Sequence, residues 1–98
     1  MKNAYMVTFD LPAHLDETFM SLIPRQRFVV NQMMAEGVIQ SYSLSNDRTS
    51  LWVVMVTDNE FTLMQEIERM PLLDYMTPHI SHLMFHNTAA EVMQFSLN

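Results

Sequence analysis

The side chains able to do chemistry gather in two short stretches. His79, His82 and His86 lie close together near the C-terminal end. On a strand, period two puts His82 and His86 on one face with Ile80 and Met84, and His79 on the other with Ser81, Leu83 and Phe85. Imidazole can take and return a proton near neutral pH, so His82 is a candidate general base. With Leu83 and Phe85 read as core, His82 faces the opposite side, where a ligand would bind, and His86 is a candidate ligand contact. The plainer reading makes both half-buried residues bonded to backbone or water. Residues i and i+4 on a strand stand about 13 Å apart at ~3.3 Å per residue, too far to share an ion, so no metal site is expected there.

Arg25 and Arg27 are two of only five basic residues. Two guanidinium groups could hold a substrate carboxylate, or they could pair with surface acids. Asp10, His14 and Trp52 add no specific signal. No Ser-His-Asp order, carboxylate pair or metal-binding helix motif is apparent. Cysteine is absent, which removes disulfides, zinc-thiolate sites and thiol nucleophiles together. A single glycine excludes a phosphate-cradling loop. Eleven acids against five bases give a net charge of -6, which argues against nucleic acid as a partner.

The elements that must position these residues follow from periodicity. The 98 residues make one domain, 1–98, and 49% are hydrophobic, too apolar for disorder. No apolar run approaches the roughly 20 residues of a membrane span. The N-terminal stretch does not read as a signal peptide, so a cytoplasmic location without membrane association is expected. Residues 4–11 alternate as a strand, with Tyr5, Val7, Phe9 and Leu11 on one face. A helix is expected from about Glu17 to Glu36, capped by Asp16, with Phe19, Leu22, Ile23, Val29, Val30, Met33 and Met34 as its apolar stripe. Pro24 inside it predicts a kink or a fresh helical start. Gly37 is placed as a left-handed cap. Strands 38–45 and 49–57 form a hairpin around Asn46-Asp47-Arg48. A second helix spans roughly 59–69, a fourth strand runs from His79 to Phe85 or His86, and a short helix covers 89–95.

This order, βαββαβ, is the ferredoxin-like α+β pattern: an antiparallel four-stranded sheet with both helices on one face. The third strand carries Leu51, Val53 and Met55 on one side and Trp52, Val54 and Val56 on the other. A strand apolar on both faces needs cover on both. A second copy packed on the helix-free face would supply it, making a dimeric α+β barrel; the tail helix folded back is the other option. Eleven methionines read as gap-filling core or as an adaptable apolar pocket.

The segment Met70-Pro71-Leu72-Leu73-Asp74-Tyr75-Met76, then Leu83, then His86, resembles the muconolactone isomerase family. Leu11-Pro12, Glu36-Gly37 and the spacing of the second helix into Pro71 extend the resemblance over about residues 4–90. It implies a dimeric barrel, five dimers forming a decamer in the best-known isomerases. It implies a cofactor-free shift of a carbon–carbon double bond in a small lactone carboxylate during aromatic catabolism. That chemistry needs one base and a donor to the developing enolate. His82 is the candidate base, Tyr75 the candidate donor, and Arg25, Arg27 and His86 the candidate substrate contacts. The chain departs from the isomerase pattern in three places. Arg25-Gln26-Arg27 stands where the isomerases have an acid and a lysine. Leu44 falls near an isomerase arginine, and Asn46 and Asp47 replace a hairpin glycine. The alternative to an isomerase is therefore a diverged, non-catalytic dimeric barrel that binds a small apolar ligand or serves in assembly.

Overall fold

The computed structural model of the chain describes residues 2–89. In chain order the elements are β1 (Asn3–Asp10), α1 (Glu17–Ala35), β2 (Ile39–Leu44), β3 (Ser50–Thr57), α2 (Glu60–Ile67), a 3-10 turn at Leu73–Tyr75, and β4 (Thr77–Leu83). The strands form one antiparallel sheet in the order β2-β3-β1-β4, the expected ferredoxin-like α+β arrangement. The tail helix expected over 89–95 lies outside the described residues beyond Ala89.

Local chemistry sets the helix ends. Asp16 caps α1 by accepting the Phe19 N–H at 2.8 Å, and Asn59 caps α2 by accepting that of Thr62 at 2.8 Å. At the far end of α1, the Val38 N–H donates to the Met33 carbonyl and the Gly37 N–H to that of Met34. This paired closure needs a left-handed residue, and Gly37 supplies it with φ +82°. Of the two outcomes expected at Pro24, no fresh helical start occurs: α1 is one helix through it. Pro24 has no N–H to give the Met20 carbonyl, and Met20 lies on an exposed turn.

One core fills the space between helices and sheet. Tyr5, Val7 and Phe9 from β1 and Leu51, Val53 and Met55 from β3 pack against Phe19, Val29, Val30 and Met33 of α1 and Leu63 and Ile67 of α2. Met33, Met55, Met70 and Met76 are all buried there, so this part of the methionine content is packing. The other sheet face carries no helix among the described residues. On it Val54 is 2% exposed, between Met6 of β1 and Ser41 of β2, while Trp52 is 43% exposed.

β4 departs from expectation twice. It starts at Thr77 and stops at Leu83, and Pro78 is tolerated because β4 is an edge strand with one unpaired side. Its faces are also inverted. Val7 pairs with Ile80 and Tyr5 with His82, so Ile80 and His82 lie on the helix side, and His79, Ser81 and Leu83 on the open face. Phe85 lies past the last pair and has no vote in the register. The contest is between Ile80 and Leu83, and pairing with the core strand decides it for Ile80.

Candidate functional site

The sequence-derived candidates do not converge. His82 is exposed on the helix side. Its ring meets the Tyr5 ring edge-on at 4.9 Å, and its Nε2 is 3.4 Å from a Glu60 carboxylate oxygen. It therefore does not face the helix-free side of the sheet, where it was expected to meet a ligand. His79, which is on that side, pairs at the strand edge with Asp10 at 2.7 Å. Arg25 is an exposed helix residue with its guanidinium 5.4 Å from the Phe28 ring centre. Arg27 is exposed as well. Tyr75 is half-buried, with its ring perpendicular to that of Phe19 at 5.5 Å, a packing contact.

The amide between the two arginines is engaged at both ends. Gln26 is 2% exposed. Its Nε2 donates to the Tyr42 hydroxyl at 3.2 Å, and its Oε1 accepts the Leu72 backbone N–H at 3.1 Å. One amide thus ties α1 to β2 and to the loop after α2. Burial raises the Tyr42 pKa above its ordinary value, opposed in part by the Gln26 hydrogen bond and by nearby Arg27. A signal for Gln26 existed in the sequence: it continues the three-and-four spacing of Phe19, Ile23, Val29, Val30 and Met33, so a polar side chain was due on the buried stripe. A second tie joins the two helices. Arg69 forms ion pairs with Glu36 and Glu66, both at 2.7 Å, and its hydrogen bond to Glu36 holds that carboxyl below the usual range.

The concave feature lies elsewhere. A cleft of about 410 Å³ opens at the end of the helix-free face. Ala4, Val56 and Leu83 form one row across β1, β3 and β4, and Lys2, Gln40 and His86 add polar groups. Of the expected contacts only His86 is here, and its Nε2 is buried with no hydrogen-bond partner among the described residues. Gln40 reaches the cleft through the irregularity in β2 between Ile39 and Ser41, which period-two reading cannot anticipate. Among the described residues no group of three or more metal-ligating side chains comes together, and no helix is long and apolar enough to cross a membrane. No known family model matches the chain, and no curated protein matches it.

Proposed function

We propose that this chain is a homodimeric binding protein of the isomerase-like barrel design, which holds a small apolar ligand and does not isomerise lactones. The observation that carries this reading is Gln26. An amide cannot accept the proton that a double-bond shift removes from carbon, and both ends of this one are committed to the fold. Loss of a general base costs typically about 10²–10⁴-fold. His82, the other candidate base, is an exposed residue beside Glu60. The interior between sheet and helices is packed with methionine and aliphatic side chains, which leaves the open face as the place for a ligand. The proposed relationship to muconolactone isomerases rests on the 70–76 segment with Leu83 and His86.

The second copy is proposed to cover the open face. Trp52, Val54, Val56, Met6 and Leu83 run across it, and its ends carry pairs within the chain, Lys2 with Asp58 at one and His79 with Asp10 at the other. A two-fold arrangement lays this apolar row on the same row of the second copy and takes both out of water. The test is a thermal-shift screen with small lactones and aromatic acids, run beside light scattering. The reading expects a mass of twice one chain and a raised melting temperature with at least one apolar compound. A stable monomer that no compound stabilises would overturn it.

A further inference from the structure

We infer that the cleft at the end of the open sheet face binds a small apolar carboxylate, an inference that rests on the ligand-binding reading above and names its site. A volume of about 410 Å³ falls within the range of small-molecule sites. Its floor is apolar, formed by Ala4, Val56 and Leu83, and its polar groups are those of Lys2, Asn3, Gln40 and His86. Among the described residues no carboxylate lines it, although acids outnumber bases eleven to five in the chain. Asp58 stands 3.4 Å from Lys2, but both side chains are exposed. An ion pair of that kind is weak and yields to a competing carboxylate.

The second observation is His86. A buried polar atom without a partner is rare and costly, and among the described residues the Nε2 of His86 has none. A ligand oxygen supplies what it lacks. The nitrogen is closed to water in this structure, so a ligand oxygen reaches it only if the unpaired stretch after Leu83 moves outward, a movement that the binding proposed here requires. The same stretch holds Met84 at 97% exposure and Phe85 at 71% beside the cleft. Two large apolar side chains in water next to a polar anchor favour a ligand with an apolar body and one charged end: Lys2 and His86 take the carboxylate, and Leu83, Met84 and Phe85 take the body.

The test is isothermal titration calorimetry of the full chain with 3-phenylpropionate and with its neutral amide. The acid is expected to bind. The amide, and the acid with Lys2→Gln or His86→Leu, are expected to bind about tenfold more weakly or worse. His82→Leu, on the other sheet face, should bind like the parent. His86→Leu removes an unpartnered nitrogen, so its melting temperature should not fall below that of the parent. His86→Gln, which keeps a donor, should recover part of the affinity. Equal affinity for acid and amide, or affinity for the acid indifferent to Lys2 and His86, would overturn this site while the broader ligand-binding reading stands. No heat with either probe, together with no stabilising compound in the thermal screen, would take down both.

Discussion

Gln26 accepts the backbone N–H of Leu72 at 3.1 Å across 46 residues of sequence, and this one bond seats the loop after α2 against α1. The same side chain donates to Tyr42, so the amide satisfies groups from two other segments inside the core. Gln26→Ala leaves the Leu72 N–H unpaired in a buried place and should cost about 1–3 kcal/mol. Gln26→Glu keeps the acceptor but brings a carboxylate into the core, and it should also destabilise. Urea unfolding checks both; an unchanged midpoint for either would mean that the amide is dispensable.

Charge placed on β3 should report which face is which. Met55 is buried against the helices and Trp52 is on the open face. Met55→Glu is expected to unfold the protein. Trp52→Glu is expected to keep the fold, read by far-ultraviolet circular dichroism, and to halve the mass seen by light scattering. Val54→Glu is a less clean probe of the interface, because Val54 is already 2% exposed within one chain. Unchanged mass and stability in both Met55→Glu and Trp52→Glu would contradict burial on two faces.

Among the described residues Gly37 and Arg48 have a left-handed backbone, and they should respond with opposite signs. Gly37 has φ +82° with nothing within 4 Å of an added Cβ, so Gly37→Ala should lose about 1 kcal/mol from backbone conformation alone. Arg48 has φ +63° in the β2–β3 turn. Asparagine tolerates that region better, so Arg48→Asn should raise the melting temperature slightly. Melting curves that move the other way would mean that neither angle holds in solution.

How much of this the sequence shows depends on the range of the interaction. Strand alternation in β1 and β3, the caps at Asp16 and Gly37, and the element order are local patterns, and they carry the fold. The faces of β4 are not local. Ile80 and Leu83 fall on opposite sides of a strand with no clear alternation, and only pairing with Val7 and Tyr5 assigns them. That one register turns His82 away from the open face. The cleft is harder still, because Lys2, Gln40 and His86 meet only through the sheet. Gln26 was within reach, as a polar residue on an apolar helical stripe, but its partners Tyr42 and Leu72 were not.

The hairpin turn should be acid-sensitive. Asp47 accepts hydrogen bonds from the Ser45 hydroxyl and from the Thr49 hydroxyl and N–H, which lower its pKa from 3.8 to about 2. A carboxyl with a depressed pKa stabilises the folded state fully above its ordinary value. That contribution is lost as pH falls from about 3.8 through about 2. The carboxyl carbon shift of Asp47, followed by nuclear magnetic resonance, should titrate near the lower value. A midpoint near 3.8 would mean that the turn is open in solution.

The central claim is that the fold holds a ligand without moving its double bond, and the direct measurement is muconolactone isomerisation followed by absorbance with the unmodified protein. The account predicts a rate indistinguishable from that of buffer, with His82→Ala no different. Turnover on the order of 10 s⁻¹, typical of enzymes, would contradict it, and loss of that turnover in His82→Ala would identify the exposed histidine as the base.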